Sequence, residues 1–415
     1  MQRKDEIVAG LIGVLARAAD AFVPKDPEQW VFGALEGTRF ADNSKYFFLY
    51  AHARRQGANV CWLTRNREVL DRMRAAGLPC EHNYSWRGIW RVLRAGVLFT
   101  STRRADVMFF YRRDGRRVIH LHHGMPIKKI WNDYEGAVPL SKNRVFLDAL
   151  WTYFVAGFRW SDVDAVVSTS PFYQQILRGA FGTEQVFVTG QPRNDILACS
   201  SVPPHLRSSH LPPAAQKRAY GLDDRYVVTY MPTHRKFGRG QQAPIPFAND
   251  RAAQRRLIEA GIQIAVKAHP NSVRDLRSVL ERTEPGLYVD LSTRCEDPQQ
   301  LLLVSDCLVT DYSSCFIDFL LCDRPIVFYL FDEEDYIRTD GGVYFRMEEH
   351  QAGPIARDEG ELMRELLRCS AGEDGFRDKR GAISERFNSY RDDQSSRRVW
   401  ELASELLANR PAGQS

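Results

Sequence analysis

The chain has 415 residues, 44% of them apolar and 26% charged, with a formal net charge of +5. That much apolar material supports one large core or two of ordinary domain size and excludes a disordered chain. No run of eighteen or more uncharged apolar residues occurs, and the N-terminus lacks the sections of a signal peptide, so a cytoplasmic location is expected.

Residues 6–18, EIVAGLIGVLARA, have apolar side chains at helical spacing before a break at Pro24 and Pro27. They suit a helix on a membrane surface or one packed on its own domain. Short apolar runs then alternate with helical stretches: 30–35, 59–64, 95–101, 117–122, 164–170 and 185–190 read as buried strands, with helices at 66–76 and 172–181. Residues 199–224, rich in Pro, Ser, His and charge, interrupt the alternation as a linker would. A second series follows at 226–232, 262–269, 286–291, 306–311 and 325–330, and the tail, 359–409, is helical. Strands alternating with helices imply parallel, doubly wound sheets, so the expected fold is α/β with two Rossmann-like domains and a cleft between them. The expected boundaries are an amphipathic helix at 1–24, a first domain at 25–200, a linker at 201–224, a second domain at 225–390, and a C-terminal helix at 391–415 that packs back on the first domain.

Charge divides unevenly. Residues 1–200 hold 28 Lys and Arg against 19 Asp and Glu, and the rest hold 29 against 33. The basic half should face something anionic, such as phosphate, anionic lipid or nucleic acid. The eight cysteines (61, 80, 199, 295, 307, 315, 322 and 369) are scattered with no zinc-ribbon or redox spacing and read as reduced thiols.

Five polar clusters fall at or just after strand C-terminal ends, where such sheets bind ligands. HLHHGMPIKK (120–129) puts His120 and His122 on one strand face and His123 on the other, before a turn at Gly124 and Pro126. A zinc site would need further ligands, and none is suggested nearby. GQPRND (190–195) and MPTHRK (231–236) carry Arg193 and Arg235, whose guanidinium forks suit phosphate oxygens. KAHPNS (267–272) places Lys267 and His269 on one face, a pairing suited to binding a phosphate and moving a proton. TDYSS (310–314) delivers Thr310 and Asp311 into a turn, with Ser313 and Ser314 at a helix start that is either an anion site or an ordinary cap.

The series HHGMPIKK, GQPRND, MPTHR, KAHPNS, SDCLVTDYSSCFIDFLLCDRPIVFY and GGVYF resembles the CDP-glycerol glycerophosphotransferase family of teichoic acid primases and polymerases. The segment GTRFADNSKYFFLY (37–50) and the tail FNSYRDDQSSRRVWELASELL (387–407) fit the same resemblance, which spans roughly residues 30–407. It implies a glycosyltransferase B type fold that moves a polyol phosphate from a CDP-activated donor, CDP-glycerol or CDP-ribitol, to a hydroxyl of a lipid-linked or polysaccharide acceptor, releasing CMP. The setting it implies is teichoic-acid-like or capsule polymer synthesis, with the enzyme peripheral on the inner face of an anionic membrane.

By resemblance His123 and His269 are the two essential histidines, and His123 is favoured as the base toward the acceptor. Arg193, Arg235, Lys267, Thr310, Asp311, Ser313 and Ser314 would hold the donor phosphates. Gly124, Pro126, Lys128, Asp42 and Asn43 would line the acceptor side. Two departures bear on substrate identity: YIRTDGGVYF displaces Arg338 from the family's Arg-Gly pair, and DDQSS stands where Asp-Gly is common. No cofactor is evident, and magnesium is left open because no ligand motif is seen. A nucleotide-sugar glycosyltransferase of the same architecture is the main alternative. A nucleic-acid partner is not expected, because the basic residues form no continuous tract.

Overall fold

Two parallel sheets organise the chain. In the computed structural model, residues 16, 18–55, 59–108, 115–134, 163–199, 201–233, 243–268, 273–339 and 342–409 are described. The first sheet contains β1 (Asp26–Phe32), β2 (Val60–Thr64), β3 (Cys80–His82), β4 (Ala95–Thr100), β5 (Arg117–His120), β6 (Ala165–Ser168) and β7 (Val186–Val188), in the order 3-2-1-4-5-6-7. The second contains β8 (Tyr226–Met231), β9 (Ile262–Val266), β10 (Tyr288–Asp290), β11 (Cys307–Thr310), β12 (Ile326–Tyr329) and β13 (Ile355–Ala356), in the order 10-9-8-11-12-13. Strand order reverses between β1 and β4 and between β8 and β11, and those are the points where such sheets open a crevice.

The described helices are α1 (Asp42–Arg54), α2 (Arg67–Ala75), α3 (Trp86–Arg94), α4 (Pro171–Phe181), α5 (Asp195–Ala198), α6 (Pro213–Tyr220), α7 (Arg251–Glu259), α8 (Val273–Leu280), α9 (Pro298–Val304), α10 (Cys315–Phe319), α11 (Glu333–Thr339), α12 (Glu359–Ser370), α13 (Arg377–Phe387) and α14 (Ser395–Ala408). Central strands such as VCWLT and AGVLFT are buried at every residue, because helices cover both faces of a parallel sheet. Helix ends follow local chemistry. In α4 the Ser170 hydroxyl accepts from the Tyr173 amide, Pro171 opens the first turn, and Gly182 closes the helix at φ +61°.

One apolar cluster joins the domains. It runs from Trp30, Phe32, Phe47 and Phe99 of the first sheet and α1 to Leu302, Phe316 and Ile326 on the second-sheet side. Phe32 and Phe99 stack at 4.5 Å. The end of the tail crosses back to the first domain: Trp400 of α14 lies 4.7 Å from Trp30, and Arg117 donates to the Leu406 carbonyl at 2.8 Å.

β3 and β13 fall outside the strands read from the sequence, because Cys-Glu-His and Ile-Ala are too short to show a period. The 199–224 segment is also more ordered than a simple linker. It contains α6 and sends the buried His210 to the Tyr46 hydroxyl at 2.8 Å. At the N-terminus, Ala16 and Asp20 are buried, so the described end of the 1–24 segment packs on its own domain.

The start of α14 depends on a carboxylate from α5. Asp195 accepts from the Ser395 and Ser396 amides at 2.8 and 2.9 Å, and burial pushes its pKa up to about 6 against those donors. Asp195→Ala should therefore cost about 1–3 kcal/mol by leaving buried amides unpaired. Urea unfolding, read at the midpoint, checks this.

Candidate active site at the interdomain cleft

The loop after β5 presents three imidazoles in three environments. His120 is buried with Nδ1 3.0 Å from the Thr100 hydroxyl, and burial, with help from the His123 charge, lowers its pKa to about 3. His122 is buried at φ +57°, a left-handed backbone uncommon for a residue with a side chain. Burial and the neighbouring imidazoles hold its pKa well below the ordinary histidine value. His123 is exposed and stacks on His122 at 4.7 Å. Its Nδ1 lies 3.3 Å from the Ser101 carbonyl, which can only accept, so Nδ1 carries the hydrogen and Nε2 is the basic nitrogen. Ser101 directly follows β4, which puts His123 at the crevice of the first sheet.

Gly124 brings this loop against the second domain. At φ +137°, a Cβ there would lie 2.8 Å from Arg193 Nη2 and 3.0 Å from Ser314 Oγ. Only glycine fits both the backbone and the gap. Pro126 is buried. Further along, Ile127 accepts from the Tyr344 amide at 2.8 Å, and Lys128 pairs with Val343, so the GGVYF segment docks on the histidine loop. The Lys128 ammonium sits 4.7 Å over the Tyr336 ring, which stacks on Tyr312 at 3.9 Å. That contact draws Lys128 toward an aromatic pair of the second domain.

Arg193 is the hub of the interface. Its Nη1 donates to Asp42 at 2.9 Å and to the His123 carbonyl at 2.7 Å, and its Nη2 donates to Asp318 of α10 at 2.6 Å. Its amide donates to Asn43 Oδ1 at 3.1 Å, and Asn43 in turn donates to the Leu121 and His122 carbonyls at 3.0 and 2.9 Å. Burial opposes the Arg193 charge, but Asp318 and Asp42 more than offset it and raise its pKa. Burial raises the Asp42 carboxyl, with Arg193 and His123 opposing. Arg193 thus bonds two carboxylates and a carbonyl, and Asp42 and Asn43 brace the loop from behind.

At the second sheet, the Asp311 carboxylate accepts from the Thr233 amide at 2.8 Å and hydroxyl at 2.6 Å, and the Thr310 hydroxyl donates to the Met231 carbonyl at 2.7 Å. Both residues are buried, and these bonds lock the β8 and β11 ends together. Ser313 and Ser314 are half-buried; the Ser313 hydroxyl accepts weakly from the Cys315 amide at 3.4 Å, and Ser314 starts α10 with no side-chain cap bond. Lys267 is half-buried just past β9. Arg235 and His269 lie outside the described residues. Among the described residues, no group of three or more His, Cys, Asp or Glu is placed to hold a metal ion.

Sequence reasoning missed Asp318, Asn194 and Gln299. Asn194 donates to Asp318 at 2.9 Å, and Gln299 donates to both Asn194 and Asp318 at 3.1 Å. The signal was present in CFIDFLL, where one carboxylate interrupts an apolar run and must find partners. A second interdomain network was also missed. Lys45 pairs with Asp297 at 2.6 Å and the Tyr46 hydroxyl donates to it at 2.9 Å, beside a cavity of about 580 Å³ lined in part by Phe40, Arg72, Tyr220 and Arg294. Burial opposes the Asp297 charge, but Lys45 and His210 hold its pKa far below the carboxylate range.

The sequence profile described as CDP-Glycerol:Poly(glycerophosphate) glycerophosphotransferase matches residues 15–404. The chain is 25% identical over 378 residues to a teichoic acid glycerol-phosphate transferase of Staphylococcus aureus (strain NCTC 8325 / PS 47), covering 89% of this chain and 90% of that one. It is 25% identical over 365 residues to a teichoic acid poly(glycerol phosphate) polymerase of Bacillus spizizenii (strain ATCC 23059 / NRRL B-14472 / W23), covering 85% and 84%. The solved structure of the wall teichoic acid polymerase TagF superposes with a TM-score of 0.75 at 20% identity, covering 98% of this chain and 99% of that one. The fold is the two-domain glycosyltransferase B type.

The buried imidazoles make stability depend on pH. His120 titrates near 6.5 when unfolded and near 3 when folded, so its stabilising effect is complete above about pH 6.5 and is lost as pH falls toward 3. His120→Gln should shrink the stability lost between pH 7 and pH 4 by on the order of 2 kcal/mol. Denaturant unfolding at the two pH values measures it.

Proposed function

The chain belongs to the CDP-glycerol:poly(glycerophosphate) glycerophosphotransferase family, and on that footing we propose that it transfers glycerol phosphate from CDP-glycerol to a hydroxyl of a growing polyol-phosphate polymer. The acceptor is a lipid-linked teichoic-acid-like or capsule polymer, and the enzyme works at the inner face of an anionic membrane. The observation that carries this reading is the contact at Gly124, where the loop bearing His123 meets the Ser314 turn of the second domain. It supports a single site shared by an acceptor-side histidine and a donor-side helix start.

The His123 Nε2 takes the proton of the acceptor hydroxyl as its oxygen attacks the phosphorus next to glycerol. The new P–O bond forms, the anhydride P–O bond breaks, and CMP leaves with the bridging oxygen. Charge builds on the transferring phosphoryl oxygens, so cations and N–H donors around them carry most of the rate enhancement. Ser313, Ser314 and Lys267 on the described surface, with Arg235 and His269 from the sequence, are the donor-side groups.

Arg193 acts here as a positioning residue. It fixes the His123 carbonyl from behind and ties it to Asp318 of the second domain. His123→Ala and His269→Ala should each lower CMP release from CDP-glycerol by at least about 100-fold while remaining folded. Near-normal turnover in either variant removes that residue from the mechanism, and activity only with a UDP- or GDP-sugar removes the donor assignment.

Arg193→Lys should lower kcat by about tenfold or more with KM for CDP-glycerol changed less than about threefold, because the fork is lost while the donor surface stays intact. A rise in KM alone would restore Arg193 to the diphosphate.

A further inference from the structure

Asp106 ends the short turn Arg104–Asp106 that follows β4, and it is fully buried. Its Oδ2 accepts from the Ser101, Thr102 and Arg103 amides at 2.8, 2.7 and 3.3 Å, and its Oδ1 accepts from the Glu36 amide at 2.8 Å and from the Thr102 hydroxyl. All five partners donate, as an ionised carboxylate, which can only accept, requires. The loops after β1 and β4 are thereby clamped to one charge. Gly33, directly after β1, makes room for the turn, since a Cβ there would overlap the Asp106 carbonyl.

The peptide between Ser101 and Thr102 is bonded at both ends. Its N–H, on Thr102, donates to Asp106 at 2.7 Å, and its C=O, on Ser101, faces His123 Nδ1 at 3.3 Å. A planar trans peptide points these two groups in opposite directions, so carboxylate, peptide and imidazole form one hydrogen-bonded line. Ser101 is held on its other side as well. It is fully buried, its amide is taken by Asp106, and its hydroxyl lies 2.7 Å from Ser44 Oγ.

A general base is commonly oriented by a third group, most often a carboxylate bonded to the ring itself. We propose that Asp106 is a positioning residue for His123 that acts through the Ser101–Thr102 peptide, fixing the carbonyl that holds the Nδ1 hydrogen and strengthening it as an acceptor. Hydrogen bonds in a chain polarise one another, so a carboxylate on the peptide N–H pushes electron density onto the peptide oxygen. The 3.3 Å bond is long, and it tightens once Nε2 has taken the proton of the acceptor hydroxyl, because a charged donor bonds more strongly. No proton crosses the peptide. The Nδ1 hydrogen stays on the ring and Asp106 keeps its charge throughout. The inference rests on the reading of His123 as the base.

Among the described residues, the other titratable groups facing His123 are Asp42 and Arg193, with His120 and His122 of its own loop, and those around Asp106 are Glu36, Arg103 and Arg104. None of them changes in Asp106→Asn. CMP release from CDP-glycerol by the full-length variant, followed from about pH 5.5 to about pH 9, should show kcat lower by about tenfold or more, KM within about threefold, and the acid limb of kcat/KM moved to lower pH by about half a unit or more. The sign follows from charge: without the carboxylate the imidazolium is less favoured, so the base loses its proton at lower pH. A merely structural loss scales the profile down and leaves the limb in place, whatever fraction of the variant is folded. An unmoved limb overturns the proposal. A second measurement uses wild type alone, so it stands even where the asparagine variant does not fold. The Thr102 amide resonance should titrate with the same midpoint as the His123 ring signals, and a Thr102 amide that ignores the His123 titration overturns the proposal. That titration needs no substrate. Thr102 following His123 in a protein that releases no CMP from CDP-glycerol sinks the transferase reading alone.

Discussion

Arg193 sits between a carboxylate of the first domain, Asp42, and one of the second, Asp318, with the His123 carbonyl as its third acceptor. A guanidinium taken out of water must have such partners, since an unpaired buried charge costs several kcal/mol. The consequence is geometric. The pair of carboxylates can be satisfied together only when the two domains hold their present approach, and in that approach Gly124 lies against Ser314. Closure of the cleft and placement of the histidine loop are thus one electrostatic requirement.

The neighbouring residues of the same short turn extend this coupling. Asn194 bonds Asp318, and Asp195 caps α14, the helix that returns to pack Trp400 on Trp30. Three consecutive side chains therefore serve the second domain, the interface and the tail. Lys45 and Asp297 form a separate buried pair across the interface. Polar groups used this way favour one arrangement of two domains over others, which apolar packing alone specifies loosely.

The three histidines of the β5 loop show how environment separates identical side chains. His120 and His122 are buried and kept neutral, while His123 remains in water with a carbonyl fixing its tautomer. His122 supports the exposed ring by stacking, and the neutral pair adds no competing charge beneath it.

Much of the fold was legible in the sequence, because buried parallel strands must be apolar and bounded by turn residues, and eleven of the thirteen strands among the described residues carried that mark. The positions of the polar clusters at strand ends followed from the same alternation, so His123, Gly124 and Ser314 were legible as neighbours of one cleft. What the sequence could not assign was the partner of each charge. Arg193, Asp42, Thr310 and Asp311 look like ligand-binding residues in a linear string, since an arginine or carboxylate in a turn is usually solvent-facing. Only the tertiary structure, by bringing Asp318 within 2.6 Å of Arg193 and the Thr233 amide within 2.8 Å of Asp311, shows that these groups have partners inside the protein. Periodicity is a local property of the chain and survives in the sequence; charge pairing across more than a hundred residues is decided when the domains meet.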